Sequence, residues 1–268
     1  MVQDERNPPA GRTGVARVAA ALDIVASRGW VSAADLASAL GVDRSTGWRL
    51  ARSLEGVGWL HHDPLTRRYR LGLPLFELGT RVLDTVDVHD EARRVMTELV
   101  ASTGESVDFA VRDGDSVVFI DKLDGTAEVR AFTRAGQRAR LHATAAGKVF
   151  LASMAERELA AYLAGPLVGY TAATVTDPAA IREIVEQTRR NGWAVNRGEL
   201  FPEAGALAVP VRDASGATVA ALGLNVPLSR LDDDRIRVLV AQLRSATARL
   251  TPTLGLGITG HVPDVTSP

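Results

Sequence analysis

The sequence predicts an α+β protein in two parts: short helices with a β-hairpin first, then an antiparallel sheet flanked by helices. Two observations carry this prediction. Residues 30–73 show two short helical segments and then two short strands around a basic turn. The remaining chain shows strands, then helices, then strands again. Elements in that order favour helices packed on an antiparallel sheet over a doubly wound α/β fold.

The first helices are recognisable by their ends. A helix from about Val15 to Ser27 carries apolar residues at helical spacing. Ser32 is a good N-cap for the next helix, and Gly41 ends it as glycine commonly does. Asp43 then caps a third helix, which stops near Gly58.

The third helix and the hairpin after it concentrate positive charge. Residues 43–73 contain six arginines and three acidic residues, whereas the whole chain has a formal net charge of −1. Two strands, near Trp59–Leu60 and Tyr69–Leu71, flank the basic tip at residues 61–68. The layout is typical of a winged helix-turn-helix, whose second helix enters the major groove of double-stranded DNA. A helical subdomain with merely solvated arginines is the alternative.

We expect the early turns of this helix to read or frame bases. Arg52, Arg67 and Arg68 are expected to bind phosphates. The predicted DNA-binding residues are Arg44, Ser45, Thr46, Trp48, Arg49, Arg52, Arg67, Arg68 and Tyr69.

Composition argues against several other classes of protein. The chain has no cysteine, which excludes disulfides and thiol chemistry. Its five histidines show no H-E-x-x-H spacing, so neither a metal nor a cofactor is expected. GLGITG at residues 255–260 matches the G-x-G-x-x-G pattern of dinucleotide-binding proteins, but too few residues follow it for the required helix.

Without a long apolar run or an apolar leader, we expect a cytoplasmic protein that does not enter membranes.

The chain is predicted to divide into five segments. They are a disordered arm at 1–13, the winged helix-turn-helix domain at 14–73, a linker helix at 74–87, a second domain at 88–252 and a flexible tail at 253–268. The apolar face of the linker helix fits either an ordinary core helix or a dimer contact.

Within the second domain, alternating apolar residues and Asp-Gly turns indicate strands, and periodic apolar residues indicate helices. The predicted helices are 89–102, 145–153, 156–163, one beginning at 177–178, and 232–250. The predicted strands are 107–111, one around 117–119, 129–132, 206–211 and 218–226.

RLHATAAGKVFLA, at residues 140–152, is the most distinctive block of this domain. With ADLASALGVDRSTGWRLARSLEGVGWL, YRLG, GESVDFAVRDGDSVVFIDKLDG and NGWAVNRGELFPEAGALAVPVRDASGATVAALGLNVP, it resembles the IclR family of bacterial transcription regulators over about residues 15–250. The resemblance implies a winged-helix domain joined by a helix to a GAF-like effector-binding domain. It also implies a dimer or dimer of dimers on palindromic operators, with small organic acids or aromatics as effectors.

The resemblance also places an effector pocket on this chain. Its positions fall on Ala145, Ala146, Asn196, Ala206, Gly223 and Asn225. Relatives that bind small keto acids have an acidic residue where Asn196 stands, and cysteine or serine at the last three positions. Because unmatched buried polar groups cost about 1–3 kcal/mol each, we expect this altered pocket to take an effector larger or less polar than glyoxylate or pyruvate.

Three aromatic residues, Phe109, Phe119 and Phe132, are candidates for an apolar wall of the pocket, with plain core as the alternative. His142 or Arg130 is a candidate partner for an anionic group of the effector.

The predicted function is an effector-responsive, sequence-specific DNA-binding regulator and not an enzyme. Asp108 and Asp121 lie on neighbouring predicted strands, but hydrogen-bonded sheet positions are favoured over an acid–base pair. Two alternatives stay open. One is a constitutive DNA-binding protein whose second domain only oligomerises, and the other is an enzyme that converts its ligand.

Overall fold

A computed structural model describes residues 14–84, 89–126 and 133–250. The chain divides into two compact units, the first ending at residue 84 and the second starting at residue 85. The arm predicted at 1–13, the tail predicted at 253–268 and the strand predicted at 129–132 lie outside the described residues.

From residue 14 to residue 84, the first unit has four helices and a three-stranded antiparallel sheet of order β1-β3-β2. Its elements are α1 (Gly14–Arg28), β1 (Val31–Ser32), α2 (Ala33–Leu40), α3 (Arg44–Gly56), β2 (Leu60–Asp63), β3 (Arg68–Leu71) and α4 (Leu73–Asp84). Strands β2 and β3 form the predicted hairpin, with Leu60 paired to Leu71. The two-residue strand β1 was not predicted; it pairs with β3 and widens the hairpin into a sheet.

Side-chain caps fix where the helices of this unit begin. The Ser32 hydroxyl accepts a hydrogen bond from the Asp35 amide at 3.1 Å, and the Asp35 carboxylate accepts one from the Ser32 amide at 3.3 Å. This reciprocal capping box orients α2. Helix α2 ends at Gly41, whose φ of 64° suits glycine.

Helices α2 and α3 cross at very close range. A Cβ atom on Gly47 would lie 2.4 Å from the Cβ of Ala37, far below any real contact between such atoms. Glycine at 47 is therefore a steric condition for this helix-turn-helix. The buried side chains around the crossing include Leu36, Ala51 and Leu54.

Within its described residues, the second unit is one six-stranded antiparallel sheet of order β6-β5-β4-β9-β8-β7, with helices on both faces. Its helices are α5 (His89–Thr103), α6 (Ala145–Ser153), α7 (Glu156–Leu163), α8 (Pro178–Asn191) and α9 (Asp233–Leu250). Its strands are β4 (Ser106–Asp113), β5 (Ser116–Leu123), β6 (Arg138–Arg140), β7 (Ala194–Arg197), β8 (Ala204–Arg212) and β9 (Thr218–Pro227).

Alternation along the strands gives the two faces of the sheet different cores. One face, with Val107 and Phe109 of β4, packs against α5 and α9. The other face packs against α6, α7 and α8 and includes Ala110 and Phe119. Phe109 and Ala110 lie in opposite cores because successive side chains of a strand alternate between the two faces. The pairing of β4 with β5 also shifts register between these two residues.

The predicted α+β class with an antiparallel sheet is confirmed. Strands β6 and β7 were missed: β6 pairs with β5 at residues 138–140, and β7 forms the opposite edge of the sheet. Among the described residues, no helix is long and apolar enough to cross a bilayer, and no cluster of three metal-ligating side chains occurs.

Candidate functional site

The exposed face of α3 carries the polar side chains predicted to meet DNA. Arg44, Ser45, Arg49 and Arg52 are exposed, and the Trp48 side chain is 55% exposed although it is aromatic. Arg52 is held by Glu55 at 2.8 Å on the surface of the helix. These residues lie on the helix that a winged helix-turn-helix inserts into the major groove.

Asp43 organises the start of α3. Its carboxylate accepts hydrogen bonds from the Ser45 hydroxyl at 2.6 Å, from the Thr46 hydroxyl at 2.7 Å and from the Thr46 amide at 2.9 Å. These bonds hold the pKa of Asp43 well below its usual range. Both hydroxyl hydrogens are thus already donated, so Ser45 and Thr46 present acceptor lone pairs to a partner rather than hydrogen-bond donors.

Asp63 shapes the tip of the hairpin in the same way. It accepts hydrogen bonds from the Leu65 amide at 3.0 Å and from the Thr66 hydroxyl at 2.6 Å. The turn places Arg67 in the left-handed region, at φ 54°, and leaves Arg67 and Arg68 exposed.

Tyr69 corrects the predicted DNA-binding set. It is 4% exposed and packs in the core of the first unit, with its ring centroid 4.7 Å from that of His62. Tyr69 alternates with exposed Arg68 and Arg70 along β3, so its side chain lies on the inner face of the hairpin. It is a core residue rather than a DNA contact.

A cavity lies in the second unit, where α6 packs on the sheet. Including its open mouth, it holds about 400 Å³. It is lined by Asp108, Phe119, Thr133, Thr144, Ala145, Ala146, Asn196, Leu200, Phe201, Ala204, Ala206, Leu207, Ala208 and Asn225.

The beginning of α6 forms one wall of this cavity. Thr144 caps the helix by accepting a hydrogen bond from the Gly147 amide at 2.9 Å. The amides of Ala145 and Ala146 lie in the first turn of α6, where no earlier helical carbonyl is available. They therefore have no acceptor within the helix. A helix start with free amides favours a bound anion.

Asp108, on β4, provides a carboxyl group on the sheet side of the cavity. It is 4% exposed, and its Oδ2 accepts a hydrogen bond from Asn225 Nδ2 at 2.6 Å. Burial raises the pKa of Asp108 to about 6, although the Asn225 hydrogen bond and the charge of Lys122 favour the ionised form.

Asn196 is committed to positioning the backbone around the cavity. Its Nδ2 donates to the Ala143 carbonyl at 2.5 Å, and its Oδ1 accepts from the Glu199 amide at 3.1 Å. Next to it, Lys148 of α6 forms a buried ion pair with Glu199 at 2.5 Å and also donates to the Val195 carbonyl at 2.9 Å. These contacts tie α6 to the segment that carries Leu200 and Phe201.

Comparison with known proteins adds an independent observation. Residues 14–64 match the model of the IclR helix-turn-helix domain, and residues 80–251 match that of the bacterial transcriptional regulator IclR C-terminal domain. The chain belongs to the IclR family. This places it among DNA-binding transcriptional regulators, not enzymes, as predicted.

Curated IclR relatives cover most of the chain. It is 34% identical over 207 residues to the HTH-type transcriptional regulator XynR of Escherichia coli K12, covering 77% of this chain and 82% of that protein. It is 32% identical over 236 residues to the HTH-type transcriptional repressor AllR of the same strain, covering 88% of this chain and 86% of that protein.

Solved IclR structures share the fold. An IclR homologue of Microbacterium hydrocarbonoxydans complexed with 4-hydroxybenzoate superposes with a TM-score of 0.79 at 27% identity, covering 90% of this chain and 99% of that one. Thermotoga maritima IclR superposes with a TM-score of 0.75 at 28% identity, covering 90% and 98%.

Six of the predicted effector residues line the cavity. Ala145, Ala146, Asn196, Ala206 and Asn225 line it together with Phe119. Gly223 does not line it directly, but a Cβ there would lie 2.3 Å from Asp108 Oδ1. Phe132 and Arg130 lie outside the described residues.

Two residues predicted to bind the effector do not line the cavity. Phe109 is fully buried in the core on the opposite face of the sheet, with α5 and α9. His142 is 1% exposed and has both ring nitrogens engaged, Nδ1 with the Tyr162 hydroxyl at 2.7 Å and Nε2 with the Val168 carbonyl at 2.9 Å. Because a carbonyl only accepts, Nε2 carries the proton, and the ring acts as a structural clasp.

Asn196 stands where relatives have an acidic residue, but Asp108 brings a carboxyl group to the cavity from a different strand. Asp108 and Asp121 do not face each other: Asp108 is paired in register with Lys122, and Asp121 accepts hydrogen bonds from Arg93 at 2.8 and 3.0 Å. The sequence did contain a sign of this carboxyl group, because Asp108 is a charged residue between the apolar Val107 and Phe109 of one predicted strand. The cavity residues that sequence reasoning did not assign are Asp108, Thr133, Thr144, Leu200, Phe201, Ala204, Leu207 and Ala208.

Proposed function

We propose that this chain is a sequence-specific operator-binding regulator whose affinity for DNA is controlled by a small organic acid held in the cavity of the second unit. The observation that carries the proposal is the cavity itself, which joins the free amides at the start of α6 to buried polar side chains on the sheet. A domain that served only for oligomerisation has no need of such an arrangement.

The DNA side of the proposal rests on α3 and the hairpin tip. Replacing Arg67 and Arg68 by alanine should weaken binding to every sequence and lower the salt slope by about one unit for each phosphate that is no longer bound. Fluorescence anisotropy with operator DNA selected from genomic fragments, at several salt concentrations, measures both quantities. Arg157→Ala, an exposed residue of α7, removes the same charge elsewhere and should leave binding unchanged. Unchanged binding by the hairpin variants would refute the assignment.

The effector side rests on the chemistry of the cavity walls. The amides of α6 favour a carboxylate, and Phe119, Leu200 and Phe201 offer apolar contact. The relative that was solved with 4-hydroxybenzoate carries an aromatic acid. We therefore keep the expectation of an effector larger or less polar than glyoxylate or pyruvate. Calorimetric titration with keto acids and aromatic acids tests it, and tight binding of glyoxylate would contradict it.

Control of DNA binding by the effector needs a separate measurement. Operator anisotropy is recorded with and without each acid that binds in calorimetry. A change of affinity of about fivefold or more supports the proposal, since coupling free energies between sites are commonly about 1–3 kcal/mol. Identical curves with saturating acid would favour a constitutive DNA-binding protein with a second domain used for oligomerisation.

We also propose that the protein acts as a homo-oligomer through α4. Leu73, Phe76 and Leu78 of this helix are exposed, with Phe76 at 69%. Several exposed large apolar side chains on one helix are typical of an interaction surface, and a palindromic operator needs two reading helices. Phe76→Glu should shift sedimentation toward a smaller species at micromolar concentration. An unchanged sedimentation coefficient would place the contact elsewhere.

A further inference from the structure

The Asp108 carboxyl is held in a specific place by its neighbours on the adjacent strand. Asp108 and Gly223 are partners in register between β4 and β9. A Cβ on residue 223 would lie 2.3 Å from Asp108 Oδ1, so any side chain there would displace the carboxyl group. Asn225, two residues on along the same face of β9, donates to Oδ2 at 2.6 Å. One residue makes room for the carboxyl group and the other fixes its orientation.

This carboxyl group is unusual for a cavity that favours anions. The start of α6 attracts negative charge on one wall, whereas Asp108 repels it on another. Asn196 is already engaged with the Ala143 carbonyl and the Glu199 amide, so it does not neutralise Asp108. A carboxylate has about four acceptor positions. Since the Asn225 amide occupies one of them and the Thr133 side chain also favours the ionised form, a ligand in the cavity that donates a hydrogen can use one of the others.

We propose that Asp108, held by Gly223 and Asn225, is a specificity-determining residue that selects effectors carrying a hydrogen-bond donor, a hydroxyl or amino group, in addition to a carboxylate. The carboxylate of such an effector meets the amides of Ala145 and Ala146, and its donor meets Asp108. An acid with only acceptors at that end leaves the buried carboxyl group unmatched. This inference rests on the proposed function, because it assumes an acid in the same cavity.

Matched pairs of acids test the proposal on the full chain. One pair is 4-hydroxybenzoate and 4-fluorobenzoate, which differ little in size but only the first donates a hydrogen. The other pair is lactate and pyruvate. In isothermal titration calorimetry at pH 7.5, the donor-bearing member of at least one pair should bind about 10- to 100-fold more tightly, the range set by losing a hydrogen bond to a charged group.

Variants assign the preference to Asp108. Asp108→Asn keeps the shape of the side chain, and it should reduce the preference within the pair to less than about threefold. Asp121→Asn is the control on the neighbouring strand: it removes a carboxylate that binds Arg93 and does not line the cavity, so the preference should persist. Gly223→Ala should reduce the preference as well, with circular dichroism confirming that it is folded.

The outcomes separate this inference from the proposed function. Equal binding of both members by the unmodified protein, or an undiminished preference in Asp108→Asn, overturns the inference and leaves an acid-binding regulator intact. A donor preference that persists while operator affinity ignores the acid upholds the inference and overturns effector control. Failure of all four acids to bind overturns both.

Discussion

At the scale of single residues, Asp108 lines the cavity and also lowers the stability of the fold when it is ionised. Burial raises its pKa from 3.8 to about 6. Protonated Asp108 makes its full contribution to the free energy of unfolding below about pH 3.8. That contribution is lost as the pH rises through 6, because the ionised group is poorly solvated in the fold. Ionisable groups with strongly shifted pKa values in clefts tend to be functional rather than structural.

Asp108→Asn should therefore stabilise the protein above neutral pH. The rise in the pKa of Asp108 from 3.8 to about 6 corresponds to about 3 kcal/mol. The variant should gain this stability at pH 7.5, and the gain should shrink progressively toward pH 4. Urea unfolding at pH 4.5 and 7.5 measures the difference. A stability difference that does not depend on pH would show that Asp108 is not buried as described.

The Lys148–Glu199 pair shows the opposite case, a buried carboxylate matched by a cation. Burial lowers the pKa of Lys148, and the adjacent Glu199 opposes that shift. Lys148→Met should lower the free energy of unfolding by about 3–5 kcal/mol, because Glu199 would remain buried without a partner and its Oε2 already has no hydrogen bond among the described residues. The double variant Lys148→Met with Glu199→Gln should recover much of this loss in urea unfolding. If the double variant is no more stable than the single one, the loss does not arise from an unpaired charge.

The prediction of which aromatic residues line the cavity failed because it depends on the face of the sheet to which each side chain points. Phe109 and Phe119 are equally aromatic, yet the sheet buries them in opposite cores. Period-two alternation places Asp108 on the face opposite Val107 and Phe109, so its direction was predictable. The close approach of Gly223 to its carboxyl group was not, because it depends on the register between β4 and β9.

At the scale of elements, helix ends were well predicted because caps are local. The predicted bounds of α6 and α7 agree with the structure, and Asp177 with Pro178 marks the start of α8. The short edge strands β6 and β7 were missed, since three or four residues give too little alternation to detect. Their place in the sheet comes from pairing with distant strands.

The crossing of α2 and α3 allows a test of one element contact. Gly47→Ala should lower the stability of the first unit by about 1–3 kcal/mol, because the new Cβ would overlap Ala37. Gly56→Ala, at the end of the same helix, has open space around it and should stabilise by up to about 1 kcal/mol. Thermal unfolding followed by circular dichroism compares the two. Similar melting temperatures for both variants would contradict the close crossing.

At the scale of the whole molecule, the order of elements and the sequence blocks were enough to predict the family and the α+β class, which family models and solved relatives confirm. Only six of the fourteen residues that line the cavity were predicted. Its walls come from β4, β5, β7, β8, β9, the start of α6 and the segment with Leu200 and Phe201, which are far apart in the chain. Only their packing together shows that Asp108 and the start of α6 line one cavity.

Control of DNA binding by an acid requires that binding to one unit be thermodynamically coupled to binding to the other. This gives a prediction about the acid and the operator DNA together. If an acid changes operator affinity by some factor, operator DNA must change the affinity for that acid by the same factor, because the coupling is a property of one thermodynamic cycle. Calorimetry with and without saturating operator measures one side, and anisotropy with and without acid measures the other. The variant with Arg67 and Arg68 replaced should keep its affinity for the acid in the absence of DNA, since these residues belong to the first unit. Unequal factors would mean that the acid acts on something other than the operator-binding state, such as the oligomeric state at the concentrations used.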